Sequence, residues 1–230
     1  KWFSKTNDLI RWSRLVTCGN REIAAYVSSK GRPAVIIPTI VDTTSFRPRA
    51  ASATNDVPVI GWIGTHSTYQ YVRTIFPVLE RLAREHRFHL RLVGTGVDKV
   101  EIPGVEIENL AWKLDREIAD FQSLDIGVYP IVADDWSVGK SCFKAIQYMA
   151  VGVPFVVSPV GVCEEIAVPD QTHLVARSEQ DWYEHLSRLL TDASLRRQMG
   201  DAGRDYAVQH YSTRIHVQKL AAALRSAVRG

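Results

Sequence analysis

A chain of 230 residues with 46% hydrophobic and 23% charged residues is long enough to bury one core and part of a second, as a soluble globular protein does. Its 28 basic and 25 acidic residues give a formal net charge of +3, which is too mixed for a nucleic-acid-binding protein but compatible with a local anion site. Apolar runs such as Val153 to Val157 are far shorter than the roughly 20 residues of a membrane span, and the first residues do not resemble a secretory signal. We therefore expect a cytoplasmic protein.

The three cysteines, Cys18, Cys142 and Cys163, lack the spacing of a zinc site. Their odd number does not suggest a disulfide framework, and a cytoplasmic location favours free thiols. We expect all three to be reduced.

Residues 1–48 predict a small unit in which helices and strands alternate. The following segment, Arg47 to Pro58, is rich in Pro, Ala, Ser and Thr, which is typical of a linker. Because so short a unit does not complete a sheet of ordinary size, we expect it to be the remnant of a larger upstream domain. Its predicted elements are a helix around Asn7 to Arg14, a strand Leu15 to Cys18, a helix Arg21 to Lys30 and a strand Ala34 to Pro38.

Residues 49–211 alternate short apolar runs with longer amphipathic segments, which predicts an α/β domain with a doubly wound, Rossmann-like parallel sheet. Tyr71 to Glu85 carries apolar residues at spacings of three and four and predicts one continuous crossover helix. Further helices are predicted over Asp115 to Ser123, Cys142 to Val151 and Glu179 to Leu190, and the predicted strands are Val59 to Ile63, Leu90 to Val93, Val105 to Leu110, Ile126 to Tyr129, Phe155 to Val157 and His173 to Val175.

The last segment, Ser212 to Val228, predicts a helix that begins at a Ser-Thr cap and has one apolar face. That face requires a partner. If the surface that meets an upstream domain is exposed, it favours a homodimer.

Three blocks of sequence carry a family resemblance over nearly the whole chain. The most specific runs from Lys144 to Gly161 and reads KAIQYMAVGVPFVVSPVG. The others are Val35 to Asp42 with the following Phe46-Arg47-Pro48, and Ile60 to Gly64. In these blocks, and in the tail from Leu195 to Ser212, the sequence is similar to the family 4 group of retaining glycosyltransferases, which have the two-domain GT-B fold.

This resemblance implies that residues 49–211 form the nucleotide-sugar-binding domain and that residues 212–230 return towards the N-terminal domain. It also implies transfer of a hexose from a nucleotide-diphosphate sugar to a carbohydrate or lipid-linked acceptor, with retention. In that reaction the departing diphosphate helps to deprotonate the acceptor, so that no catalytic side chain, metal or cofactor is required of the protein.

A loop that enters a helix supplies the expected diphosphate site. Backbone amides of Lys140, Ser141 and Cys142 are predicted to face the phosphates, and Lys140 and Lys144 are predicted to share one helix face. Two solvated surface lysines are the alternative, but their place in the matched block favours a site. A P-loop is the disfavoured alternative, because Asp134 stands where its first glycine is required.

Two departures from the family pattern affect the predicted site. The family's two glutamates, which have seven residues between them, fall on Gly139 and Gln147. We predict that Gln147 binds a ribose hydroxyl through its amide. The donor sugar is then left to the backbone of Gly139, or to Asp134 or Asp135.

The second departure is at the first glycine turn, where the family's Arg and Lys fall on Thr65 and Gln70. We predict that Lys140 and Lys144 supply the missing charge. Further donors are expected from a helix start after Gly64, namely His66, Ser67 and Thr68, although a surface histidine is the simpler interpretation of His66.

The nucleotide base is predicted to contact Leu110, Ala111 and Trp112, just past a strand end. Trp112 either stacks on the base or packs in the core. Gly161 to Glu165 is predicted to lead into a helix whose N-terminus is stabilised by Glu164 and Glu165.

The expected partners are thus a nucleotide sugar and a carbohydrate or lipid-linked acceptor. Peripheral association with a membrane and a homodimer are also expected, whereas binding to nucleic acid is not. Three other functions remain open. The first is a fragment that binds the nucleotide sugar without activity, and the second is a degenerate glycosyltransferase-like scaffold. The third is a flavodoxin-like or epimerase-like protein of related topology, but such a protein should not contain the sequence block around Gln147.

Overall fold

The structure, a computed structural model, describes residues 2–50, 54–134 and 137–229. Its first part is a small unit in which two strands pair in parallel, with Val16 opposite Ala34, over a core of Ile10, Cys18 and Val27. The predicted alternation of helix and strand is confirmed, whereas the origin of this unit in a larger domain stays a prediction. The elements are α1 Trp2–Trp12, β1 Val16–Cys18, α2 Arg21–Ser29 and β2 Ala34–Ile36.

The centre of the fold is a six-stranded parallel sheet. Its strands are β3 Val59–Ile63, β4 His89–Val93, β5 Glu106–Leu110, β6 Ile126–Tyr129, β7 Phe155–Val157 and β8 Leu174–Val175. In space they follow the order β5-β4-β3-β6-β7-β8, so the chain starts in the middle, reaches one edge and then crosses to the other. This reversal confirms the predicted doubly wound α/β fold, and it opens a crevice at the carboxyl ends of β3 and β6.

Helices cover both faces of the sheet. Alternate residues of β3 enter two cores: Val59 and Ile63 pack on one face, and Ile60 and Trp62 pack on the other. This alternation explains why the strand is apolar throughout. The helices are α3 His66–Arg73, α4 Phe76–Ala83, α5 Glu117–Gln122, α6 Phe143–Ala150, α7 Glu179–Thr191, α8 Ala193–His210 and α9 Thr213–Arg229.

The prediction of one helix over Tyr71 to Glu85 is wrong. Two helices occupy this region, because α3 ends at Arg73 and α4 begins at Phe76. Pro77 lies in the first turn of α4, where its missing amide hydrogen costs nothing, whereas inside one long helix it would remove a hydrogen bond and clash with the preceding turn.

The predicted helix after Gly161 is also wrong. A single 3₁₀ turn, Gly161–Cys163, replaces it, so Glu164 and Glu165 have no helix dipole to stabilise. Glu164 forms an ion pair with Arg177, and Glu165 pairs with Arg21 at 2.5 Å. Both glutamates therefore act in tertiary contacts.

The last helix, α9, lies against the N-terminal unit. Val41 and Ser212 form a parallel bridge that fixes its start, and the Arg14 guanidinium donates to the carbonyl of Ala227 near its end at 3.3 Å. Within the described ranges, no helix is both long and apolar enough to cross a bilayer. The division of the chain at residues 48 and 211 stays a prediction.

Candidate functional site

Three loops meet at the carboxyl edge of the sheet through backbone contacts. The amide of Gly64 donates to the carbonyl of Val93 at 2.9 Å, and the amide of Gly94 donates to that of Leu110 at 2.8 Å. Gly94 has φ +81°, and a Cβ there would lie 2.2 Å from the Gly64 carbonyl oxygen. Only glycine satisfies both conditions, and it lies between the predicted Gly64 and Leu110.

The N-terminus of α3 lies at the same edge. The helix begins at His66, and the Thr65 amide donates to the Thr68 hydroxyl at 3.1 Å. Ser67 is in hydrogen-bond distance of the Thr65 hydroxyl, at 2.9 Å. A Cβ at Gly96 would lie 2.5 Å from that of His66, so the loop after β4 packs directly on the helix start. The structure thus brings His66 and Ser67 to the edge where Gly64 lies.

The two predicted lysines reach the same region from the other side of the crevice. The Lys144 ammonium lies 5.7 Å from the ring centroid of Trp62 and 5.2 Å from that of Tyr129. The Lys140 ammonium lies 4.5 Å from the ring centroid of Tyr71 on α3. Cations held over aromatic faces in this way are stabilised by the ring quadrupole.

The prediction that both lysines share a helix face is wrong. Because α6 begins at Phe143, Lys140 lies in the loop before the helix. The turn of that loop, not helical spacing, brings Lys140 towards α3 while Lys144 faces β3 and β6.

The pKa values of both ammonium groups are lowered. Burial, and then the positive charge of Lys140, lower the pKa of Lys144 to about 8. Burial also lowers the pKa of Lys140, against the opposing effect of Asp134. Positive charge is therefore concentrated where it is partly removed from water, and a bound anion would stabilise it.

The loop before α6, residues 137–142, is called the donor loop, because the sequence predicts the donor sugar and its diphosphate there. Its first turn uses the Lys140 amide, which donates to the Ser137 carbonyl at 3.1 Å, so the prediction that this amide faces a phosphate is wrong. Asp134 accepts from the Ser137 amide at 2.6 Å and anchors the start of the loop. Asp135 lies outside the described residues. The loop ends at Cys142, whose left-handed conformation, φ 50°, turns the chain into α6.

The expectation that all cysteines are reduced is wrong for two of them. Cys142 and Cys163 are joined in a disulfide, with Cα atoms 5.5 Å apart, while the buried Cys18 is free. The sequence does not predict this pair, because the two cysteines are 21 positions apart. The pairing of β6 with β7 in the sheet brings them together.

Gln147 is almost fully buried in α6, with 3% of its surface exposed. Its amide donates to the carboxylate of Glu117, the first residue of α5, at 3.3 Å. Glu117 is not among the site residues predicted from the sequence, although an acidic residue shortly after the predicted base-binding segment indicates a candidate ligand for the ribose. A carboxylate thus stands beside the position where the family pattern expects one.

The predicted base-binding segment follows β5. Trp112 is 45% exposed and its Cβ packs near Gly94, so the side chain does not lie in the core. The carbonyl of Ala111 accepts from the Arg116 guanidinium at 2.9 Å, which fixes the segment.

Other features do not contribute to this site. A cavity of about 580 Å³ lined by Arg49, Asp125 and Pro154 lies at the opposite, amino edge of the sheet. Among the described residues, no three His, Cys, Asp or Glu side chains are grouped as metal ligands would be.

Comparison with known proteins gives the family and the fold. Residues 57–192, more than half of the chain, match the family model of the glycosyl transferases group 1. The fold is similar to that of sucrose-phosphate synthase from Thermosynechococcus elongatus, with a TM-score of 0.76 and 17% identity over 96% of this chain and 60% of the synthase. No curated protein sequence matches the chain.

Two further solved structures extend the likeness. HepE of Anabaena, in complex with UDP-glucose, matches with a TM-score of 0.75 and 13% identity, over 93% of this chain and 64% of HepE. The C-terminal domain of LpcC, a glycosyl transferase group 1 family protein from Francisella tularensis, matches with 0.56 and 16%, over 75% of this chain and 99% of that domain. The chain spans 60% of the synthase, and at these identities the likeness shows the fold.

Proposed function

The chain belongs to the glycosyl transferases group 1 family, and on that premise we propose that it holds the donor in a retaining transfer of a hexose from a nucleotide-diphosphate sugar to a carbohydrate or lipid-linked acceptor. One observation carries the proposal: the Lys140 ammonium lies over the ring of Tyr71 on α3, and the Lys144 ammonium lies over the ring of Trp62 on β3, the strand that leads into α3. Two ammonium groups and a helix N-terminus are what a diphosphate requires.

In the proposed complex the diphosphate lies between the two lysines and Gly64, His66 and Ser67. Because the lysines are partly removed from water, they stabilise negative charge more strongly than surface lysines do. Charge on the diphosphate grows as its bond to the sugar breaks, so these contacts strengthen in the transition state. The leaving diphosphate then receives the acceptor proton.

The nucleoside is proposed to lie along β5 and α5. The Trp112 ring stacks on the base next to Leu110 and Ala111. Gln147 and Glu117 together bind the ribose hydroxyls, with the carboxylate as acceptor and the amide as donor. HepE, which has a similar fold, was solved with UDP-glucose, and this supports a uridine nucleotide as the first candidate.

The donor sugar is proposed to meet the backbone of Gly139 and the carboxylate of Asp134, with Asp135 as a further candidate. The reaction proposed needs no metal or other cofactor. Peripheral membrane association, a lipid-linked acceptor and a homodimer belong to the same proposal.

Calorimetric titration with UDP, GDP, ADP and their glucose and mannose conjugates tests the proposal directly. We expect one nucleotide to bind in the micromolar to millimolar range typical of enzyme substrates. Binding of none would favour the alternative of a degenerate scaffold, for which the missing glutamates at Gly139 and Gln147 are the supporting observation.

Nucleotide affinity should fall as pH rises through about 8, the pKa of Lys144 in the free protein. A bound diphosphate favours the charged ammonium and raises this pKa, so binding above pH 8 requires proton uptake. Affinity then falls by up to tenfold per pH unit until the pKa of the complex is reached. Titrations with UDP between pH 7 and 9.5, in buffers of different ionisation enthalpy, measure both the slope and the proton uptake.

Lys144→Arg is the control, because an arginine stays charged throughout this range. Its affinity should be nearly independent of pH. An unchanged slope in this variant would assign the titration to another group and contradict the prediction.

A further inference from the structure

The turn between β1 and α2 contacts the donor loop from the N-terminal unit. Asn20 in this turn is 5% exposed, and both ends of its amide are engaged. The oxygen accepts from the Ile23 amide at 2.9 Å and caps α2, and the nitrogen donates to the Gly139 carbonyl at 3.0 Å. One side chain therefore connects a helix start in one unit to the donor loop in the other.

The residues on either side of Asn20 make the same connection. A Cβ on Gly19 would lie 3.0 Å from the hydroxyl oxygen of Ser141, so the backbone of the turn already touches the donor loop. Arg21 pairs with Glu165 at 2.5 Å, on the segment that follows β7. Three consecutive residues thus contact both segments at this end of the crevice.

Those two segments are also packed on each other. Gly161 has φ +58°, and a Cβ there would lie 2.4 Å from the Val138 carbonyl oxygen. The disulfide between Cys142 and Cys163 joins them again. A shift of the donor loop would therefore disturb several contacts at once, and among them the contact with Asn20 is a buried polar one from the N-terminal unit.

We propose that Asn20 is a positioning residue for the donor site: its amide holds the Gly139 carbonyl and thereby fixes the donor loop that carries Lys140. This inference rests on the proposed function. Lys140 follows Gly139 directly in the chain, so a displacement of the Gly139 carbonyl also displaces the Lys140 ammonium group. In the absence of the Asn20 donor, the Gly139 carbonyl would lose a buried partner and the loop would sample other conformations.

Two substitutions separate this role from helix capping. Asn20→Ser and Asn20→Asp both retain an oxygen that caps α2, and Ser, Asp and Asn are similarly effective caps. Neither has a donor at the Gly139 carbonyl: serine is too short, and aspartate places a carboxylate there. Asn7→Asp is the matched control, since it makes the same change of charge in the same unit and retains the acceptor for the Tyr26 hydroxyl.

Hydrogen exchange of the full chain without ligand gives the first readout. We expect exchange in residues 137–142 to become about fivefold to tenfold faster in both Asn20 variants, the loss expected for one buried hydrogen bond. Exchange in α2 should stay near that of the wild type and of Asn7→Asp, and the melting temperature should fall by only about 2–4 °C, as expected for one lost hydrogen bond. Unchanged exchange in the donor loop of both variants would overturn the inference.

Affinity for UDP, GDP and ADP gives the second readout. The nucleotide that binds the wild type best should bind both Asn20 variants about fivefold to tenfold more weakly and Asn7→Asp equally well. If both Asn20 variants bind this nucleotide with the affinity of the wild type, the inference is overturned and the proposed function is unaffected. If the wild type binds none of the three, the proposed function fails instead.

Discussion

Replacing Lys144 by methionine is expected to weaken nucleoside diphosphate binding by about a hundredfold, which corresponds to the loss of one charge-assisted contact of about 2.7 kcal/mol. Methionine retains the length and the apolar stem that pack against Trp62 and Tyr129, so only the ammonium group is removed. The free protein should become slightly more stable, because the charge that it loses was unfavourably buried. Calorimetric titration and thermal unfolding of the same samples measure both effects.

Lys30→Met is the matched control for this variant. The Lys30 ammonium also lies over an aromatic ring, that of Tyr26, at 4.9 Å, but it stands at the far end of α2 from the donor loop. Its removal should leave nucleotide affinity unchanged. Equal nucleotide affinities of the wild type and Lys144→Met would show that the diphosphate does not contact this lysine. The proposed site would then lose its main support.

Gly200→Ala is expected to lower the free energy of unfolding by about 2 kcal/mol. Gly200 lies in α8 where that helix crosses the end of α6, and a Cβ there would be 2.2 Å from the carbonyl oxygen of Gly152. Backbone cannot move aside as a side chain can, so the cost reaches the upper part of the 1–3 kcal/mol typical of overpacking, and about 1 kcal/mol of improved helix propensity offsets part of it. Denaturant unfolding measures the difference.

Gly203→Ala provides the comparison within the same helix. A Cβ at Gly203 would lie 3.3 Å from Cγ of Met149, a flexible side chain that can shift by a few tenths of an ångström. Its stability should equal or exceed that of the wild type. A similar loss of unfolding free energy in both variants would contradict this prediction, because it would mean that the contact of Gly200 with the Gly152 carbonyl is not the cause of the destabilisation. The result matters for the site because α6 carries Lys144 and Gln147.

Much of the fold could be predicted because local pattern determines it. Most strands of the central sheet are short runs rich in Val, Ile and Leu separated by amphipathic segments, and that alternation specifies a parallel sheet with helices on both faces. The boundary between α3 and α4 is also encoded locally, because the backbone chemistry of Pro77 favours the first turn of a helix.

The errors around the donor loop have a different origin. Helical spacing predicted one face for Lys140 and Lys144, but α6 begins only at Phe143, because Cys142 turns the chain through a left-handed conformation. Glu117 beside Gln147, Asn20 against Gly139 and Cys142 joined to Cys163 are contacts between positions far apart in the chain. Spacing along the chain carries no information about such pairs.

By itself, the sequence determined the class of fold, the approximate bounds of its strands, the family resemblance and the segment that carries the lysines. These follow from side-chain periodicity and local backbone preferences, which act within a few residues. Only the tertiary structure decided which residues meet at the carboxyl edge of the sheet: the lysines over Trp62, Tyr129 and Tyr71, and the carboxylate beside Gln147. The physical reason is that the strand order and the packing of loops across it set these distances, and both depend on the whole chain at once.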